Sequence, residues 1–178
     1  MRKIIFLYGP PAVGKLTIAK VLASKIDYRL LHNHLLVNPI AEVFPFENPA
    51  NRLLTREFRL RIIEEAIKSN INLINTFGIA GNNPFKHIED IIKTVNTHNG
   101  EICLVHLTAN KETLLNRVED NFRKEHGKSL SKEMLKELFK ENHDIFNKYQ
   151  GIEHLSLNTS ESAPDVSAET IINYYNLA

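Results

Sequence analysis

GPPAVGKLT, residues 9–17, follows the apolar run KIIFLY at residues 3–8 without a break. The spacing G-x-x-x-x-G-K is that of a loop whose backbone N–H groups wrap phosphate. In the usual pattern Ser or Thr follows the lysine at once. Here Leu16 does, and the hydroxyl arrives one place late, at Thr17. The flanking residues decide how to read it. A short β-rich run bounded by Gly-Pro predicts a buried strand. The apolar residues Leu16, Ile18, Ala19, Val21 and Leu22 predict a helix over 15–25. The loop therefore leaves a strand and opens a helix, where N–H groups and the helix dipole converge on an anion. Gly9 permits the sharp exit and Gly14 a close backbone approach. Lys15 has the reach to touch β- and γ-phosphates. Gly9, Pro11, Ala12, Val13, Gly14, Lys15, Leu16 and Thr17 are the expected nucleotide-binding residues.

Outward from the loop, short apolar runs alternate with amphipathic segments. Strands are expected at 28–33, 71–77, 102–107 and 154–158. Helices are expected at 35–43 (bent near Pro39), 51–68, from Asn83-Pro84 to Asn99-Gly100, at 110–125, at 131–148, and from Ser162 onward. Ser162 and Asp165 have capping-box spacing. Alternating strands and helices predict an α/β fold. It would be a three-layer sandwich around a five-stranded parallel sheet with right-handed crossovers. A single domain over 1–178 is expected, with a polar lid segment near 116–132 and acceptor-binding helices near 34–68.

The composition is ordinary for a globular chain: 178 residues, 43% hydrophobic, 24% charged, net charge +1. The charge balance argues against a nucleic-acid-coating surface. The lone Cys103 excludes an internal disulfide and a multi-Cys zinc site. The apolar run at 4–8 is too short for a signal-peptide core, and no stretch approaches the ~18 residues that span a membrane. A soluble, cytoplasmic protein is expected, as a monomer or weak dimer.

With a non-hydroxyl residue after the lysine and Thr next, GKLT resembles the phosphate loop of adenylate kinase and its relatives. The length, the element order, the Arg-bearing polar segment and the Thr159-Ser160 stretch ahead of Pro164 are similar to nucleoside-monophosphate-kinase-like and shikimate-kinase-like proteins. That resemblance implies the P-loop nucleoside-triphosphate hydrolase fold of nucleotide-kinase type with a helical lid. It also implies ATP and Mg²⁺ as cofactors, with the metal held through water and phosphate oxygens. Thr17 is then expected on phosphate, with direct metal contact as its alternative role. Arg117 matches the lid arginine of such kinases, Arg123 can substitute for a second one, and Thr159 and Ser160 fall in the loop that wraps the adenine. Lys124 and Lys128 add charge to the same polar segment.

Ligands of open α/β sheets sit beyond the carboxyl ends of the strands. This places Asn33, His34 and Thr76 on the acceptor side, with Arg52, Arg56 and Arg59 nearby at i, i+4, i+7 on one helix. Arg52 and Arg59 are the expected acceptor contacts. The resemblance implies an Asp after strand two and a carboxylate ending strand three. This chain has Asn33 and His34 at the first place, and Asn75 and Thr76 at the second. A neutral His34 can take a proton near pH 7. Lys15, Arg117, Arg123 and His34 are thus the expected catalytic set. The expected activity is ATP-dependent phosphoryl transfer to a nucleotide, a metabolite or an antibiotic hydroxyl. The alternatives are a non-catalytic nucleotide-binding regulator, which the missing carboxylates favour, and a polynucleotide-end kinase.

Overall fold

The structure, a computed structural model, describes residues 1–79, 85–118, 130–141 and 143–177. Its elements are β1 (Lys3–Gly9), α1 (Lys15–Lys25), β2 (Arg29–Leu31), α2 (His34–Val43), α3 (Pro49–Lys68), β3 (Leu73–Gly78) and α4 (Lys86–Thr97). They continue with β4 (Glu101–Thr108), α5 (Lys111–Arg117), α6 (Lys132–Glu141), a 3-10 turn (His143–Phe146), β5 (Leu155–Asn158) and α7 (Pro164–Tyr175). The sheet is parallel throughout, in the order β2-β3-β1-β4-β5. β1 is central, and its buried run from Ile4 to Tyr8 explains why that stretch is apolar without alternation. Its last residue, Gly9, pairs in register with Gly78 at the end of β3. The phosphate loop therefore leaves from the middle of the carboxyl edge. No helix among the described residues is long and apolar enough to cross a membrane.

Local chemistry sets several boundaries differently from the sequence expectation. Asn48 caps α3 by accepting from the Ala50 N–H, and Pro49 takes the first helical position, so the helix starts before residue 51. The last helix starts at Pro164 with Ala163 as its cap. Ser162 does not cap it, because its hydroxyl sits 3.1 Å from that of Ser167. The helix expected to run to residue 148 ends at Glu141. Beyond the 3-10 turn the chain folds against the sheet, where the Tyr149 N–H donates to the Tyr8 hydroxyl at 2.9 Å. α5 ends at Arg117, and the Asn83-Pro84 helix start and most of the lid segment, with Arg123, Lys124 and Lys128, lie outside the described residues.

Behind the carboxyl edge sits a buried polar cluster. The Tyr8 hydroxyl meets His154 Nε2 at 2.6 Å, and the Tyr8 ring stacks on His106 with centroids 4.9 Å apart. His106 is 2% exposed, and its Nε2 has no hydrogen-bond partner among the described residues. Burial, then the charges of His154 and Lys148, pulls the His106 pKa down to about 4. Its folded pKa lies below the unfolded value near 6.5, so the unfolded chain takes up the proton first. The stability is present above about pH 6.5 and is lost as pH falls toward 4. At pH 5 the loss from this group comes to about 2 kcal/mol, at 1.36 kcal/mol per pH unit. Thermal unfolding from pH 7.5 to 5 should show the fall, and His106→Gln should lessen it without abolishing it, because buried His87, its pKa pulled down to about 3, contributes a fall of its own. An unchanged slope in the variant would remove His106 as the cause.

Candidate active site

The loop between β1 and α1 holds three residues at positive φ: Gly9 (148°), Ala12 (65°) and Gly14 (98°). A Cβ on Gly9 would lie 2.2 Å from the Leu107 carbonyl oxygen of β4, so only glycine fits where the loop leaves the sheet. Gly14 precedes α1 in a left-handed conformation, with no side chain capping the helix. The first N–H groups of α1 thus face the loop without an internal acceptor. Lys15 bridges the loop, its ammonium donating to the carbonyls of Gly9 (2.9 Å) and Pro10 (2.7 Å). Leu16 is buried under the loop and Thr17 is exposed. The helical turn thus sends the residue after Lys15 into the core and leaves the delayed hydroxyl at the cleft.

This loop floors a cleft of about 540 Å³ along the carboxyl edge, where Pro11, Ala12, Val13, Gly14, Lys15, Leu16 and Thr17 all contribute to its lining. Arg117, at the end of α5, closes one side. Its guanidinium donates to the Thr159 hydroxyl (3.1 Å) and carbonyl (2.6 Å). Thr159, 2% exposed, donates in turn to the Val13 carbonyl at 2.8 Å. One buried threonine thereby ties the arginine, the loop after β5 and the phosphate loop together. Ser160 behaves differently. Its hydroxyl accepts from the Asn110 N–H at 2.9 Å, and it lines a neighbouring depression rather than this cleft. The structure does not bring Ser160 to the phosphate-loop cleft itself, although Ser162 borders both hollows.

The opposite wall carries Asn33, His34 and Thr76, together with His32 and Asn38. His34 Nδ1 lies 3.3 Å from Asn38 Oδ1. With that amide oxygen as acceptor, a neutral ring would carry its proton on Nδ1 and present Nε2 as the proton-accepting nitrogen. No carboxylate side chain is among the described residues lining the cleft. Nor do any three described His, Cys, Asp or Glu side chains gather to hold a metal. A phosphate-bound Mg²⁺ needs no such cluster, and the glycine cradle with Lys15 across it fits a triphosphate. Phe46, Leu130 and Met134 also border the cleft. Sequence reasoning missed all three; the 59% exposure of Phe46 and the 56% exposure of Met134 are tertiary properties.

The three arginines of α3 part company. Arg56 pairs with Asp90 of α4, at 2.8 Å through Nε and 2.7 Å through a terminal nitrogen. Arg52 is exposed and does not line the cleft. Arg59 is 0% exposed and does not line it either. Arg52 and Arg59 are thus corrected as direct acceptor contacts: the i, i+4, i+7 spacing keeps the three within about 60° on one face, but it strings them along about two turns of α3, from an exposed first turn to a buried third. Arg59 instead donates to Asn75 Oδ1 (2.9 Å), the Thr76 carbonyl (3.2 Å) and Asn33 Oδ1 (2.5 Å). Its guanidinium lies over the Phe77 ring, 5.5 Å from the centroid. Burial pulls its pKa down to about 10, which leaves it charged at neutral pH.

The fold is the one that solved P-loop small-molecule kinases have, with a loop of phosphate-loop spacing leaving the central strand. No family model matches the chain, and no curated protein matches it in sequence. Solved structures do match in fold. A sugar kinase from Janibacter sp. superposes with a TM-score of 0.70 at 13% identity, over 100% of this chain and 96% of its own. The tunicamycin resistance protein of Deinococcus radiodurans gives 0.69 at 15% identity, over 100% and 98%. Shikimate kinase from Acinetobacter baumannii, solved with shikimate, gives 0.65 at 19% identity, over 99% and 94%. The five-stranded parallel α/β architecture is shared with these proteins.

Proposed function

We propose that this protein transfers the γ-phosphoryl group of ATP to a small-molecule acceptor. One observation carries the reading: Lys15 in its glycine cradle and Arg117 on its Thr159 anchor flank one cleft whose far wall holds Asn33, His34 and Thr76. Phosphoryl transfer places negative charge on the γ-phosphate oxygens, and catalysis of it is mostly positioning plus cations. Lys15 and the α1 N–H groups would hold the β- and γ-phosphates, with Thr17 on phosphate. Mg²⁺, bound through the phosphates and water, would supply further neutralisation when present. Arg117 would meet the charge that grows on the transferring group, with Arg123 as a second cation. When the acceptor is a hydroxyl, its oxygen bonds to phosphorus, the bond to the ADP oxygen breaks, and the hydroxyl proton passes to His34 Nε2. Residues 116–132 would act as the lid, and α2 and α3 as the acceptor-binding helices.

The absence of carboxylates from the described lining favours a second reading, a nucleotide-binding regulator without turnover. ADP release from Mg²⁺-ATP, alone and with nucleoside monophosphates, hydroxy acids, sugars and antibiotic alcohols, separates the two. Stimulation by one acceptor class is the expected result. Tight ATP binding with no stimulation by any class would favour the regulator. Arg117→Ala is expected to lower kcat about 10- to 100-fold with less change in ATP affinity. Steady-state kinetics with direct nucleotide titration checks this, and an unchanged kcat would remove Arg117 from the transition state.

A further inference from the structure

Arg59 is a buried cation without an ion-pair partner among the described residues. Asp90, the carboxylate on the facing helix, pairs with Arg56 and lies 3.7 Å from Lys86. Arg59 Nε is buried with no hydrogen-bond partner among the described residues, and its terminal nitrogens donate to three oxygens of the acceptor wall. Arginine can only donate, so it fixes which way each amide turns. Asn75 must offer Oδ1 to Arg59, and its Nδ2 duly donates to the Leu31 carbonyl at 3.0 Å. Asn33 must likewise offer Oδ1, which leaves its Nδ2, with no partner among the described residues, as the outward end of the amide on a residue that lines the cleft. The Asn33 N–H donates to Thr76 Oγ1 at 3.1 Å. The Thr76 hydroxyl, its oxygen so occupied, keeps its proton to give, and Thr76 lines the same cleft.

We propose that Arg59 is a positioning residue that makes this wall a donor surface, so that Asn33 Nδ2 and the Thr76 hydroxyl seat an anionic oxygen group, carboxylate or phosphate, of the acceptor. The inference rests on the kinase reading of the cleft and deepens it. The wall offers hydrogen-bond donors at two adjacent points and a fixed positive charge one layer behind them. A neutral alcohol or amine gains little from such a wall, whereas an anion matches it in both polarity and charge. His87 reports the same field. Its ring is 4.6 Å from Phe77, and burial, then the Arg59 charge, pulls its pKa down to about 3.

Asn33→Asp reverses the polarity with little change in shape. One carboxylate oxygen would still accept from Arg59, and the other would present a negative acceptor to the cleft. The probes are glycerate, glycerol 3-phosphate and glycerol, which differ in the anionic group. Their binding is followed by ligand-observed NMR on full-length protein whose phosphate loop is saturated with Mg²⁺ and a non-hydrolysable ATP analogue. The wild type is expected to bind at least one anionic probe at least 10-fold better than glycerol. In Asn33→Asp that preference should vanish, while the ATP-analogue affinity stays within about threefold. Arg59→Gln should weaken the preference as well. If that variant fails to fold, Asn33→Asp decides alone, because its Arg59 contact is retained. Glycerol bound as well as the anions, no probe bound at all, or an unaltered preference in Asn33→Asp would each overturn the proposal. Loss of the kinase reading looks different: anion preference intact in binding, with no ADP formed from Mg²⁺-ATP under any acceptor.

Discussion

Lys15→Met is expected to lower acceptor-stimulated ADP formation by about 10²- to 10³-fold, the usual cost of deleting one well-aimed donor to developing charge. The ammonium lies across the loop on the Gly9 and Pro10 carbonyls, where methionine can neither bond nor carry charge. Stability should change little, because the Gly9 carbonyl at the end of β1 keeps the Ile79 N–H as a donor, the Pro10 carbonyl belongs to the loop, and Lys15 is only partly buried. The experiment pairs acceptor-stimulated turnover with a melting curve. A variant that turns over at the wild-type rate would end the phosphate-loop assignment. A variant that melts far below the wild type would mean that the lysine is structural.

Gly9→Ala is expected to do the opposite, damaging the fold first. The added methyl would meet the Leu107 carbonyl oxygen at 2.2 Å, and this atom belongs to the backbone of β4, a strand paired on both sides, with β1 and with β5. No flexible side chain can yield there. The φ of 148° adds strain for any residue with a Cβ. Together these predict a loss of about 3 kcal/mol or more, which lowers Tm by about 6–12 °C in a chain of this size. Gly14→Ala is the control. Its φ of 98° is also strained, but the nearest atom to a new Cβ is Ile18 Cδ1 at 4.0 Å. It should cost about 1–2 kcal/mol and act mainly on nucleotide binding. Calorimetry of the two variants side by side checks the ranking, and equal melting points would contradict the steric argument.

The contrast between the two sides of the cleft explains how much could be read in advance. The nucleotide side is a contiguous motif between one strand and one helix. Its glycines, its lysine and the displaced Thr17 occupy neighbouring positions whose geometry is set by local backbone rules. Even the burial of Leu16 follows from helical rotation. The place of Arg117 beside the cleft was expected from its likeness to lid arginines, but its anchor was not, because Thr159 lies 42 residues away. On the acceptor side, the three arginines of α3 look alike in sequence. Packing sent one to Asp90, one to solvent and one into the core.

The sequence by itself determined the parallel α/β fold, the place of the phosphate loop and the chemistry of its residues, because strand periodicity, glycine conformation and helix dipoles act over a few adjacent residues. Only the tertiary structure decided the acceptor wall. Asn33, Arg59 and Asn75 are separated by 26 and 16 residues, and they meet because β2 pairs with β3 while α3 packs behind them. The direction in which an asparagine amide turns depends on the donor that reaches it, and that donor arrives from another element of the fold.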